Sequence, residues 1–195
     1  SNPIAQWIAL ISLLYLGMGS LLFLLVMGMV FSRHTLYAPP PSHLMPTLMI
    51  GVAPTSVLVI LLLRLPIVLE QVWGAPEAVL QVLEWFTSIG AIALWGFSIF
   101  WLLLALLLNL VMWVRERPPF ALSWWAYIFP MTAFVIASGV LYQVQTHPLF
   151  VGLGLAALTL LMLLWLLVFA KTLQGIWTGS LFSPHQPHAP SRPSS

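Results

Sequence analysis

The chain has 195 residues, of which 61% are hydrophobic and only 5% are charged, and its formal net charge is +2. A soluble domain carries charges on about a quarter of its residues, so this composition excludes an ordinary soluble protein, and so few basic residues give no indication of nucleic-acid binding. The sequence has no cysteine, which excludes disulfides, thiolate metal sites and cysteine nucleophiles.

Several apolar runs reach the ~20 residues that cross a bilayer as a helix, and they predict an all-α integral membrane protein. We expect one five-helix transmembrane region over residues 1–175, with spans at about 4–31, 46–65, 87–114, 123–142 and 148–175. An interfacial helix is expected at about 76–86, ahead of the third span, because Glu77 and Glu84 lie there. Residues 176–195 have the Pro/Ser composition of a disordered tail.

Five of the six basic residues, in loops, at the end of the fifth span and in the tail, fall on one side of the predicted membrane: Arg33, Arg115, Arg117, Lys171 and Arg192. The other side has Arg64, together with three glutamates. Cytoplasmic loops carry the excess of Lys and Arg, so we expect a cytoplasmic C-terminus and an N-terminus on the outer side. An outward-facing first residue is typical of a chain from which an odd number of earlier spans is missing.

Proline divides the spans into two groups. Pro54 lies near the middle of the second span and Pro130 near the middle of the fourth, whereas the first, third and fifth spans have none in their cores. A proline removes a backbone hydrogen bond and kinks a helix, and lipid offers no partner to the carbonyl that is released. The two proline-containing spans are therefore predicted to lie inside the bundle or along a cavity, and the straight, Leu-rich spans to face lipid.

Small residues accompany these prolines: Thr55 and Ser56 on the second span, Thr132 and Ala133 on the fourth. Two interpretations stay open at this point. Small residues in membrane helices commonly allow close packing, but their combination with the prolines favours the lining of a cavity.

No Asp, Glu or His lies in the core of any predicted span. Such groups mark proton coupling and haem ligation within membranes, and neither a nucleophile elbow nor a phosphate-binding loop is present. We therefore expect no enzyme, no cofactor and no metal site.

Three stretches carry a resemblance to a known family: PPPSHLMPTLMIGVAPTSV, ALSWWAYIFPMT and KTLQGIWTGSLF. They resemble, in order and spacing, the C-terminal half of the tellurite-resistance/dicarboxylate transporter family, which includes bacterial tellurite-resistance channels, malate permeases and the plant slow anion channel. The resemblance implies that the chain supplies helices six to ten of a ten-helix pore bundle in a bacterial inner membrane. It also implies that an N-terminal half or a partner chain supplies the missing helices. The family's homotrimeric assembly need not hold for the half alone.

In that family a phenylalanine just before the proline of the ninth helix plugs the pore, and Phe129, before Pro130, matches it. The resemblance thus implies a gate at Phe129 and Pro130 that closes an apolar pore by steric block and dewetting. The alternative is that Phe129 packs between helices and Pro130 only shapes the bundle. The implied pore-lining residues are Pro54, Thr55, Ser56, Thr132 and Ala133. Arg64 is either a basic residue at the pore mouth or an interfacial anchor that snorkels.

The function that the resemblance implies is an anion channel or exporter, whose partners are the lipid bilayer and inorganic anions. Two alternatives remain. One is a malate-like carrier for small dicarboxylates, which should have a fixed cationic binding site. The other is a non-conducting membrane subunit that requires a partner for its missing helices.

Overall fold

The computed structural model describes residues 2–36, 42–117 and 120–179, which contain helices and no strand. The α-helices are α1 Pro3–Leu36, α2 Val52–Trp73, α3 Glu77–Glu116, α4 Ile128–Gln145 and α5 Pro148–Trp177. The first 3₁₀ segment, Ser42–Gly51, leads into α2, and the second 3₁₀ segment, Leu122–Tyr127, leads into α4. The helices form five apolar stretches that are each long enough to cross a membrane. The predicted all-α architecture with five spans is therefore confirmed.

No helix boundary separates residues 77–86, where an interfacial helix is expected, from the third span. Instead, α3 runs without a break over 40 residues, a length of about 60 Å against a bilayer core of about 30 Å. At the expected boundary, the Thr87 hydroxyl donates to the Leu83 carbonyl at 2.9 Å, within the same helix. The helix therefore extends beyond the core of a bilayer, and the level at which it enters the membrane stays a prediction.

The second span is longer than predicted, because it continues through Pro66. The helix α2 ends only at Gly74, whose φ of 62° is left-handed and whose backbone N–H donates to the Glu70 carbonyl. Glycine adopts this conformation without the penalty that a Cβ imposes. Pro66 is buried within α2, so its packing against neighbouring helices offsets part of the cost of a proline inside a helix.

The helices are not buried equally. In an 18-residue apolar stretch of each span, the share of buried residues is 39% in the second and in the fourth span and 33% in the third. It is 22% in the fifth span and 6% in the first. The low value for α1 fits a peripheral position. The value for α3 was not expected from a straight, Leu-rich span, and it reflects extensive packing of α3 against α2 and the first 3₁₀ segment.

The fifth span begins where the sequence predicted. Pro148 is the first residue of α5, and the Nδ1 atom of His147 accepts a hydrogen bond from the Leu149 backbone N–H at 3.2 Å. Proline fits this first position because the first backbone N–H groups of a helix have no partner within it. The helix continues to Trp177. Residues 180–195 of the predicted tail lie outside the described residues.

Candidate functional site

Both proline-containing spans share one backbone arrangement. Each starts as a 3₁₀ segment and changes to an α-helix, and the proline is the third residue of that α-helix: Pro54 in α2 and Pro130 in α4. The first turn of an α-helix makes no use of its N–H groups within the helix. Each proline thus lies where its missing N–H costs little. The expected kink in a continuous α-helix is instead a change of helix type, and we refer to these two places as the proline junctions.

Side chains of α3 hold the junction of the second span from one side. The Trp101 indole N–H donates to the Leu48 carbonyl at 2.9 Å, and the Asn109 amide donates to the Met45 carbonyl at 3.2 Å. Both carbonyls belong to the first 3₁₀ segment. The contact is close, because a Cβ on Gly51 would meet the Trp101 ring. Glycine at 51 therefore allows α3 to approach the backbone of this junction.

Asn109 also contacts the second 3₁₀ segment. The Tyr127 hydroxyl donates to its Oδ1 atom at 2.6 Å, while its amide nitrogen donates to Met45 and Ala105 carbonyls. A single side chain thus connects α3 with both 3₁₀ segments. Sequence reasoning did not single out Asn109 or Tyr127. The one signal in the sequence was the amide side chain of Asn109 within an apolar span, because such a polar group is unusual there and requires hydrogen-bond partners.

Thr55 and Ser56 are fully buried between α2 and α3. The Ser98 hydroxyl of α3 donates to Thr55 Oγ1 at 2.7 Å, and the Ser56 hydroxyl approaches Ser98 Oγ at 3.4 Å. Because Thr55 also donates to the Val52 carbonyl at 2.9 Å, this hydroxyl is already bonded on both sides. The geometry places the two residues away from the exposed side of α2 and favours helix packing over the lining of a pore.

A second buried contact joins α3 to α4. The Trp95 indole N–H donates to Ser138 Oγ at 2.8 Å, and its ring stacks on Phe134 with centroids 5.8 Å apart. Phe150 of α5 meets the same ring edge-on at 4.9 Å. Behind Ser138, a Cβ added at Gly154 of α5 would lie 3.0 Å from the Ser138 Cβ, so α4 and α5 also approach closely. Tryptophan 95 is a further residue that the sequence did not identify.

The outward face of α4 carries the predicted gate. Phe129 is 67% exposed although it is followed by two fully buried residues, Pro130 and Met131. Further along α4, the residues on this face are Thr132, Ile136, Gly139 and Gln143, at helical spacing and partly or fully exposed. The Thr132 hydroxyl donates to the Ile128 carbonyl at 2.9 Å. Ala133, four residues after Phe129 at the edge of this face, is in contrast buried, which favours packing.

The outward face of α2 has the same spacing. Its members, continuing from the first 3₁₀ segment, are Thr47, Ile50, Pro54, Val57, Leu61 and Arg64. Arg64 is exposed near the end that the charge distribution assigns to the outer side. At the other end, Thr47, Ile50 and Pro54 line a cavity of about 380 Å³ that also contacts Arg33 of α1. In the sequence, Arg33 indicates only the orientation of the chain, whereas this cavity places it as a second cation beside the α2 face.

The described residues contain no cluster of three or more His, Asp or Glu side chains that could hold a metal ion. The site therefore consists of two outward helix faces, mostly apolar, with Phe129 at the junction of one and arginines towards the ends of the other.

Comparison with known proteins identifies the family. Residues 1–173 match the model of the SLAC1 family, described as voltage-dependent anion channel. The chain is 30% identical over 169 residues to an uncharacterized transporter of Methanocaldococcus jannaschii, covering 87% of this chain and 46% of the relative. It is 33% identical over 92 residues to a sulfite efflux pump of Trichophyton rubrum, which covers 47% of this chain and 24% of that protein. No solved structure matches the chain.

The chain therefore belongs to the voltage-dependent anion channel family and is an integral membrane protein. This is the tellurite-resistance/dicarboxylate transporter family that the three sequence stretches indicated. The chain spans about half the length of the curated transporters it matches, 46% for the first of them.

Proposed function

We propose that this member of the voltage-dependent anion channel family forms one wall of a path along which small anions cross the membrane, with the outward faces of α2 and α4 towards that path. The observation that carries the proposal is the exposure of Phe129, at 67%, beside the fully buried Pro130. A ring that only packed between these five helices would be buried, as the Phe134 ring is five residues later in the same helix. The family and the sulfite efflux pump among the relatives support an anion as the transported species.

Phe129 acts in this proposal as the gate. The second 3₁₀ segment and α4 meet immediately before it, and Pro130 prevents an ordinary α-helical hydrogen bond at the next residue. The ring is therefore mounted on backbone that is held by few local bonds, so that it can rotate without unwinding α4. When it crosses an apolar path it blocks ions by its volume and by excluding water.

The charges at the two ends of the α2 face support a preference for anions. Within α2 and α4, which the structure describes completely, Arg64 is the one basic residue, and Arg33 lies by the cavity at the opposite end. Cations at the mouths raise the local concentration of anions, whereas the apolar middle provides no fixed charge. Selectivity then follows the cost of removing water, and weakly hydrated small anions are preferred over strongly hydrated ones.

Two faces cannot enclose a path by themselves. Because the relatives are about twice as long as the matched part, further helices from an N-terminal half or a partner chain would close it, in a homotrimer or another assembly. Of the five residues assigned to the lining from sequence, Pro54 and Thr132 lie on the outward faces. Our proposal keeps these two and replaces Thr55, Ser56 and Ala133 by Val57, Leu61 and Ile136.

The test is the anion current of the full-length native protein in proteoliposomes, compared between wild type and Phe129→Ala. We expect the current to rise at least tenfold. The matched control is Phe134→Leu, which changes a phenylalanine on the buried face of the same helix and should leave the current of the folded protein near the wild-type value. An unchanged current in Phe129→Ala, from protein that assembles normally, would refute the gate.

The same preparation separates the two alternatives. A dicarboxylate carrier should show malate uptake that saturates and is competed by other dicarboxylates, whereas a channel should pass chloride or nitrate without saturation in the same range. A non-conducting subunit should give no current in either variant while it still purifies with its partner.

A further inference from the structure

A cleft between α3 and α5 is separate from the outward faces of α2 and α4. Its volume is about 500 Å³, and its walls are Leu106, Leu110, Met112 and Trp113 from α3 and Leu160, Leu164 and Leu167 from α5. The two helices touch through the Trp95 and Phe150 rings but have few close backbone contacts, so the cleft opens sideways between them. Its floor includes Met45, Asn109 and Tyr127, next to both 3₁₀ segments.

The cleft is apolar in its depth and basic at its rim. Lys171 lies at the edge, and its Nζ is 3.5 Å from the Gln174 side chain, a neutral partner. Arg115 and Arg117 follow Trp113 at the end of α3, with Glu116 between them, so this end of the cleft carries a net positive charge. No acidic residue lines the described part of the cleft.

The side chains of Asn109 and Tyr127 offer no free hydrogen-bond donor to an occupant of the floor. Asn109 uses its amide on the Met45 and Ala105 carbonyls, and its Oδ1 accepts from the Tyr127 hydroxyl at 2.6 Å. A carbonyl or phosphate group would find no donor at the floor, so an apolar chain fits there best, whereas negative charge is favoured at the basic rim. The volume of the cleft also falls within the range of sites that bind small molecules, about 300–1,000 Å³.

We propose that this cleft binds an anionic glycerophospholipid of the leaflet on the side of Lys171. One acyl chain lies between Leu110 and Leu164, and the phosphate lies by the Lys171 ammonium. Trp113 and Trp124 line the same end, and tryptophan is favoured at the level of lipid headgroups. Basic pockets between transmembrane helices are known to select anionic headgroups.

The position of the floor gives the bound lipid a consequence for the rest of the molecule. The acyl chain would cover the Asn109–Tyr127 pair, which joins α3 to both 3₁₀ segments. Covering this pair keeps water from competing for its hydrogen bonds. Lipid binding is therefore expected to stabilise the relative placement of the two proline junctions, from the side away from the proposed anion path.

The first experiment is native mass spectrometry of the full-length protein in the presence of phosphatidylglycerol or of phosphatidylcholine with the same acyl chains. We expect phosphatidylglycerol to bind about fivefold more tightly, the amount that one basic residue near an anionic headgroup contributes. Lys171→Gln should remove this preference. The matched control, Arg33→Gln, removes one charge from the same side of the membrane outside the cleft and should keep it.

The second experiment fills the cleft without changing charge. Leu164→Trp should reduce the binding of both lipids, and brominated phosphatidylglycerol should quench wild-type tryptophan fluorescence more than that of Trp113→Phe. Equal affinity for both lipids would overturn the assignment of an anionic headgroup. Equal quenching of the wild type and of Trp113→Phe would mean that lipid does not reach the cleft, for example because another helix or another copy of the chain covers it. This result would overturn the site itself.

Discussion

The two proline junctions have the same change of helix type but differ in which residue faces outward, the proline or the residue before it. In the second span the residue before the proline, Ala53, is buried, and Pro54 itself lies on the outward face. In the fourth span the residue before the proline, Phe129, points outward, and Pro130 is buried. The outward face thus begins at the proline in the second span and one residue before the proline in the fourth, a difference in rotation of about 100° around the helix axis.

The position three residues before each proline shows the same contrast. It is Gly51 in the second span, where the Trp101 ring of α3 covers the backbone, and Tyr127 in the fourth span, where a hydroxyl reaches Asn109 of α3. At the first junction the Trp101 side chain packs directly on the backbone, whereas at the second junction α3 is reached through the Tyr127 side chain. The backbone change from 3₁₀ to α therefore supplies a common scaffold, and the residues next to the proline decide whether a junction packs or presents a ring.

The largest difference should appear between the two phenylalanines of α4. Phe134 is 2% exposed and stacks on Trp95, so Phe134→Ala should lower the free energy of unfolding by about 3 kcal/mol or more. Phe129→Ala removes a ring that contacts little of the five-helix body, so its cost in stability should be below about 1 kcal/mol. Denaturant titration in detergent micelles measures both. A large cost at Phe129 would show that its ring packs inside the protein.

Gly51→Ala should have the next largest effect. The new Cβ would contact the Trp101 indole, with Cε2 at 2.9 Å, and would displace the ring from its hydrogen bond to the Leu48 carbonyl. Overpacking of this kind costs about 2 kcal/mol. Gly152→Ala, in α5 with open space around the new methyl group, is the matched control and should be neutral or stabilising. Equal effects of the two substitutions in a thermal melt would mean that α3 does not lie against the junction.

Much of this comparison could be predicted from the sequence, but not its orientation. The apolar runs and the positions of Pro54 and Pro130 were sufficient for the number of spans and for the choice of the second and fourth as the distinctive ones. The sequence could not show that Thr55 and Ser56 face α3, because small polar residues serve packing and lining equally well. The separate contacts that Trp95, Trp101 and Asn109 make along α3 were also missed, since tryptophan and asparagine in a Leu-rich helix acquire a role only when their partners are known.

Tyr127→Phe should separate the two ways in which α3 holds the junctions. The substitution removes the 2.6 Å bond to Asn109 Oδ1 and leaves the ring in place. Hydrogen bonds between membrane helices contribute about 0.6 kcal/mol on average, so we expect a loss of that size. Tyr142→Phe, on an exposed tyrosine of the same span, in α4, should change stability by less. In a double-mutant cycle with Asn109→Leu, additive effects would contradict a direct bond between the two side chains.

Substitution of the prolines themselves should have an effect about as small as that of Tyr127→Phe, and its sign is informative. Pro54 and Pro130 are each the third residue of an α-helix, where the proline ring fits and restricts the unfolded chain. Proline in a compatible position stabilises by about 0.4–1 kcal/mol, so Pro54→Ala and Pro130→Ala should each lower the unfolding free energy by about that amount. Pro66 lies deep inside α2, where alanine restores a backbone bond, so Pro66→Ala should act in the opposite direction.

If Pro54→Ala or Pro130→Ala instead raised stability by the ~3 kcal/mol that separates alanine from proline in a helix interior, the junctions would be kinks in continuous α-helices. Phe129 would then owe its position to strain at Pro130 rather than to the change from 3₁₀ to α.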